Sequence, residues 1–446
     1  MLIVDIYSRS LAAIRRFRSA QHGNVAVTFA FATLPLISLI GAAIDYSHAN
    51  AVKADMQAAL DSTALMLSKK ATSMQSSELQ TAAQQYFTAL FKRPDAININ
   101  VAATYATTGG SSLAVSATAS VPTDIMSIWG EDSITIGAKS TAKWGMSRLR
   151  VALVLDNTGS MADNGKMTAL KTATANLLSQ LQSAASTNGD VYVSIVPFVK
   201  DVNLGAANYN SDWIDWTNWN SKNGTCTVWG YNSQSSCTYH GGTWTAANHN
   251  TWNGCVVDRG GASAPDPANY DTNVVQPSTS ITATLFSAEQ YSSCPQAATG
   301  LSYDWSAINT LVNNMSPAGN TNQAIGLALG WMSLAGGGLF SVPPMTPGYT
   351  YTNVIVILTD GMNTQDRWYN DQSSIDAREQ IACDNIKAAG VKIYTVQVNT
   401  GGDPTSILLQ NCASSSDKFF LLTSADQIVS AFNTIGTNLT QLYIAK

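Results

Sequence analysis

Charge is scarce in this chain. Asp, Glu, Lys and Arg make up 12% of its 446 residues, against about 25% in an ordinary soluble domain. There is no basic excess either. The formal net charge is -5, which gives no electrostatic basis for nucleic-acid binding. There are only four histidines, and none of the six cysteines stands in a C-x-x-C pair. Zinc, which is held by closely spaced Cys and His, is thereby disfavoured. A P-loop and a G-x-S-x-G nucleophile elbow are also missing. The string Asp156-Asn157-Thr158-Gly159-Ser160 is not the D-T-G-S of aspartic proteases, because Asn157 intervenes and no second copy exists. Nor is it a phosphatase Asp-x-Asp, because position 158 is Thr. With no evident nucleophile or general base, the expectation is a protein that is not an enzyme.

What is present begins with one long apolar run. Residues 25–44 read VAVTFAFATLPLISLIGAAI without a charge, about the length a helix needs to cross a bilayer. Pro35 lies mid-run, which membrane helices tolerate. Arg15, Arg16 and Arg18 precede the run, and Asp45 and Asp55 follow it. The positive-inside rule then predicts a cytoplasmic tail over 1–22, a membrane helix over 23–46 and an exported remainder. Ala49-Asn50-Ala51 mimics a signal cleavage site, but the apolar core is longer than a signal peptide's. Export agrees with the cysteines, whose even count suits disulfides in an oxidising compartment. Cys226–Cys237 and Cys255–Cys294 are the preferred pairs among the three pairings four cysteines allow. Cys383 and Cys412 could join neighbouring elements.

Val52, Met56, Leu60, Ala64 and Leu67 recur at helical spacing, so the helix is expected to leave the membrane as an amphipathic stalk. Alternating segments near Ile99, Leu113 and Ile134 add short strands. Residues 47–147 thus predict a small α+β stalk, acting either as a packing surface or as a spacer.

From about residue 148 the pattern changes. RVALVLD, VYVSIVPFV, NVIVILTD and VKIYTVQV are short apolar runs, with FFLLTS a weaker fifth. Such runs fit strands buried on both faces of a parallel sheet. Helical stretches over 166–182, 321–334, 375–389 and 425–442 alternate with them. This predicts a doubly wound α/β domain over 148–446, with any site beyond the carboxyl ends of the strands.

Three features fall there. Asp156, Thr158 and Ser160 follow the first strand, Asp360 closes another in LTDG, and Thr321 opens a helix. Two carboxylates and three hydroxyls are hard oxygen donors that suit Mg²⁺ or Mn²⁺. The alternation Asp-x-Thr-x-Ser lets a bending loop aim every second side chain at one point. Ser316 and Asn320 are neighbouring alternatives to Thr321. A metal-free loop, with Asp156 capping the next turn, is the plainer reading.

These residues resemble a von Willebrand factor A domain with its metal-ion-dependent adhesion site, D-x-S-x-S followed by a distant Thr and a distant Asp. Thr158 stands where that motif has Ser. The resemblance implies a metal centre of Asp156, Thr158, Ser160, Thr321 and Asp360 that accepts a partner's carboxylate. The N-terminal run, with the flanking arginines and KADMQAALDSTAL, resembles the membrane segment of TadE/TadG-type proteins. Together the halves resemble TadG-like proteins of the tight-adherence (Flp) pilus system. That implies a single-pass bacterial inner-membrane protein with a periplasmic or surface-exposed C-terminal domain. Its partners would be other pilus-assembly or envelope proteins. Processed pilin-like members carry Glu five residues after a Gly; here Gly23 is followed at that distance by Thr28.

An insertion over about 200–318 interrupts the α/β pattern and is too long for an ordinary loop. It holds four of the cysteines and Trp213, Trp216, Trp219, Trp229, Trp244 and Trp252. The tryptophans either fill a small disulfide-stapled core or bind host protein or glycan as an adhesin surface.

Overall fold

The computed structural model describes residues 24–68, 70–71, 74–107, 111–144, 147–336 and 338–444. The expected cytoplasmic tail lies outside them. The chain forms two compact units, Met1–Trp144 and Gly145–Lys446.

In the first unit, helix α1 (Asn24–Ser68) runs unbroken through Pro35. At 45 residues it is about 67 Å long, and it is apolar enough near its start to cross a membrane. Phe29, Phe31, Leu36 and Leu39 are exposed along that part. Farther on, the helix has one buried stripe of Val52, Met56, Leu60, Ala64 and Leu67. The stripe packs on α2 (Ser76–Leu90) and on an antiparallel sheet of β1 (Ile97–Ala106), β2 (Ser111–Pro122) and β3 (Ser133–Trp144). In central β2, every second residue from Leu113 to Val121 is buried. The stripe therefore serves the unit's own core.

The second unit is mixed α/β. Five strands run parallel in the order β12 (Phe419–Leu422), β11 (Lys392–Val398), β10 (Thr350–Thr359), β4 (Ser147–Asp156) and β5 (Val191–Phe198). Leu149, Val151, Leu153 and Leu155 face one layer, with α3 (Lys166–Ala184), α4 (Trp305–Asn313) and α7 (Asp426–Ile444). Ala152 and Val154 face the other, with α5 (Gln323–Ala335) and α6 (Gln372–Ala388). Helices on both faces explain why β4 is apolar at nearly every position. Helix α5 lies so close that a Cβ on Gly326 would sit 2.7 Å from the Phe198 ring. Only glycine admits that approach.

The insertion is not an independent stapled module. Its strands β6 (Val202–Asn203), β7 (Cys255–Val257) and β8 (Phe286–Ala288) continue the sheet beyond β5 with antiparallel pairing. A further strand, β9 (Thr299–Ser302), returns to pair with β5. The polar insertion thus covers what would be a bare sheet edge. Trp213, Trp219 and Trp252 join the core that holds Ile325 and Leu327. The packing reading holds for these three, whereas Trp229 is 96% exposed. The disulfides are Cys226–Cys237, Cys255–Cys294 and Cys383–Cys412. The first two are the preferred pairs, and the third ties α6 to the short helix Ile407–Cys412.

Candidate metal centre

Strand β4 is paired on both sides through Leu155, and its last residue, opposite Phe198 of β5, stands at the carboxyl edge of the sheet. That residue is Asp156, fully buried. Its Oδ1 accepts from the Thr158 N–H at 2.7 Å and the Thr158 hydroxyl at 2.6 Å, an Asx-type turn. Its Oδ2 accepts from the Thr359 hydroxyl at 2.7 Å. Thr359 ends the adjacent strand β10, so the same register brings up Asp360. The Ser160 hydroxyl donates to Asp360 Oδ1 at 2.7 Å.

Four of the five expected residues therefore form one chain of contacts. Its middle link is informative. The Thr158 and Ser160 oxygens are 3.2 Å apart. At that distance either hydroxyl can donate to the other. Two hydroxyl oxygens stand beside two carboxylates, hard donors of the kind that suit a hard cation. Burial, reinforced by the charge of Asp360, pushes the Asp156 carboxyl up to about 7. The donor set fits Mg²⁺ or Mn²⁺.

Thr321 stands apart. Its loop is strapped to the first one: Gly159 N–H donates to Gly319 O at 3.0 Å, and Ala318 N–H to Asn157 O at 2.8 Å. Thr321 is buried, but its hydroxyl joins none of the bonds linking the other four. Its backbone N–H donates to the Thr364 hydroxyl. Of the alternatives, Asn320 turns its amide to Gln365, and Ser316 gives its carbonyl to Asn157.

Sequence reasoning missed Lys166. Its ammonium donates to Asp360 Oδ2 at 2.5 Å, and the side chain is 6% exposed. All four carboxylate oxygens of the cradle are thus engaged by the chain itself. A signal existed: Lys166 opens α3, and a cation at a helix N-terminus opposes the macrodipole unless it has a specific anion.

Also missed were the groups that brace the loops. Asp258 of the insertion is fully buried and accepts from Asn322 Nδ2 at 3.0 and 2.9 Å and from Arg367 N–H at 3.1 Å. It therefore fastens the Thr321 loop to the loop after Asp360. Asn363 accepts from Gln323 N–H and donates to Asp376 and Glu379, each at 2.9 Å.

Glu379 yields a pH prediction. Burial, with a smaller push from Asp376, raises its carboxyl from 4.5 to about 8 against the opposing Asn363 bond. Between those values the folded state holds a proton the unfolded chain releases. Stability from this group is therefore full below about 4.5 and falls as pH rises towards about 8. Glu379→Gln should remove that slope, raising stability at pH above 8 by on the order of a few kcal/mol relative to wild type. Urea unfolding of both proteins across the range checks it; parallel profiles would refute it.

Residues 23–66 match the family model of Flp pilus-assembly TadE/G-like proteins. The N-terminal segment is TadE/G-like. The match ends within the first unit. No curated protein matches. Among solved structures, the chain is similar to the pilus adhesin SpaC from Lactobacillus rhamnosus GG, at 14% identity and a TM-score of 0.36, covering 79% of this chain and 36% of SpaC. The present chain thus spans about a third of that adhesin. It is also similar to the vWF domain of the type V pili tip protein Mfa5 from Porphyromonas gingivalis, at 8% identity and a TM-score of 0.35, covering 66% of this chain and 95% of that one. A variant of the PilB minor pilin from Streptococcus sanguinis matches at 12% identity and a TM-score of 0.36, covering 79% and 81%.

Proposed function

We propose that the second unit is a doubly wound, von Willebrand factor A-like domain whose cradle takes Mg²⁺ or Mn²⁺. It acts without catalysis in Flp pilus assembly or anchoring, through metal-dependent contact with another pilus-assembly or envelope protein. The chain is held in the bacterial inner membrane by α1, with the domain in the periplasm or at the surface. The observation that carries this reading is the convergence of the Thr158 and Ser160 hydroxyls, 3.2 Å apart, between Asp156 and Asp360. When bound, the ion supplies an open position for a partner's carboxylate. Asp156, Thr158, Ser160 and Asp360 would hold it, and Thr321 would complete the set.

Calorimetric titration of Mg²⁺ and Mn²⁺ into the full chain in detergent tests the reading. Saturable one-site binding is expected. A folded chain that gives no saturable heat would overturn it.

Lys166 sharpens the test. It neutralises Asp360 where an ion would do so, and therefore competes with it. Lys166→Met should tighten Mg²⁺ binding by about tenfold or more and destabilise the ion-free protein, whose buried carboxylates lose their counter-charge. Equal affinities in the two proteins would remove Lys166 from this account.

A second reading has its own observation. Trp229, within the loop closed by Cys226–Cys237, and Tyr239, two residues beyond it, are 96% and 86% exposed. Such a projecting aromatic pair suits an adhesin surface for host protein or glycan.

A further inference from the structure

The first unit carries a second set of exposed apolar side chains, separate from the face of α1. The turn Met126–Trp129 leaves Ile128 77% and Trp129 61% exposed. Its place in the fold gives these values meaning. Asp45, the first charge after the apolar run, is only 5% exposed. Its carboxylate accepts from the backbone N–H groups of Asp124, Ile125 and Met126 at 3.2, 3.0 and 2.7 Å. One turn earlier on α1, a Cβ added to Gly41 would lie 2.2 Å from Ile125. Gly41 is within the apolar run, about 6 Å deeper along the helix axis than Asp45. The turn is therefore clamped beside the last apolar turn of α1, level with exposed Ile40 and Ile44.

We propose that Ile128 and Trp129 enter the outer interface of the bilayer that α1 crosses, making this turn a second membrane contact. Trp suits that depth, because its ring is amphipathic and favours the headgroup level. In water, the same two side chains would be a costly apolar projection. The flanking charges, Asp124, Glu131 and Asp132, are exposed and acidic. Attraction to anionic lipid is thus not the driving force. The occupant is the uncharged interface of a zwitterionic membrane. With α1 as one anchor and the turn as another, the base of the stalk is held at two points. Its tilt and rotation are then set by protein contacts and interface anchors together.

The test uses the full chain in phosphatidylcholine vesicles. All described cysteines are in disulfides, so Ile128→Cys offers one site for a nitroxide label. The label should be reached by oxygen and shielded from an aqueous nickel chelate. A control label at Ser77→Cys, exposed at the start of α2, should show the reverse. As a second measurement, brominated phosphatidylcholine should quench part of the tryptophan fluorescence, and Trp129→Phe should abolish that part. A label at 128 open to the nickel chelate, or quenching unchanged by Trp129→Phe, would overturn the proposal.

Discussion

Asp156→Asn should leave the full-length chain folded and reduce its affinity for Mg²⁺ and Mn²⁺ by more than about a hundredfold. The substitution removes one of two carboxylates at the proposed centre and keeps the shape. The amide oxygen can still accept from Thr158 N–H, as Asp156 Oδ1 does at 2.7 Å. The Thr359 hydroxyl, which donates to Oδ2, would turn to accept from the amide. Without metal, the variant should match or exceed wild-type stability at pH 8. Burial and Asp360 both oppose ionisation of Asp156, and a neutral amide is free of that cost. Binding and stability therefore move in opposite directions. Titration in parallel with thermal unfolding in EDTA checks this. In cells lacking the native gene, the variant should fail to restore piliation. Wild-type ion affinity in Asp156→Asn would sink the cradle reading.

Arg378→Met should cost about 3–5 kcal/mol of stability, the range for breaking a buried charge pair. Arg378 lies on α6 and is 1% exposed. Its guanidinium donates to Gly261 O at 2.7 Å, Ala262 O at 2.9 Å and Asp271 Oδ2 at 3.0 Å. It also stacks over Trp368, 4.4 Å from the ring centre. One side chain thus joins α6, the insertion and the loop beyond Asp360. Methionine keeps most of the stem and leaves Asp271 short of a partner. Burial and the charge of Asp258 already push Asp271 up to about 7 against two arginines. The loss should therefore be largest at alkaline pH, where Asp271 must ionise or unfold. Adding Asp271→Asn should recover part of the loss, because the two residues share one interaction. Urea unfolding of the two single variants and the double checks both statements. A cost under about 1 kcal/mol for Arg378→Met would show the network to be replaceable.

Much of this protein was legible along the chain. The apolar run over 25–44, the stripe from Val52 to Leu67 and the strand–helix alternation after 148 each repeat within a few residues. Backbone geometry converts such repeats directly into elements. The cysteine count and the export signal were read from composition. The residue types at 156, 158, 160 and 360 are hard oxygen donors, which a sequence displays directly.

Tertiary structure decided the rest. Lys166 meets Asp360 across 194 residues of sequence, and no local period records such a meeting. The insertion reads as a polar loop because its strands are only two to four residues long, too short for alternation to show. Its burial comes from β5, whose edge it completes. Asp258 and Arg378 look like ordinary surface charges until packing removes their water and gives them each a structural task. Ile128 and Trp129 lie in an unremarkable stretch, yet the clamp on Asp45 and the close approach at Gly41 set them beside the last apolar turn of α1. Local sequence specifies what each segment can become, because propensity and periodicity act over one or two turns. Which charges meet, and which apolar groups stay exposed, is set when distant segments exclude water from one another.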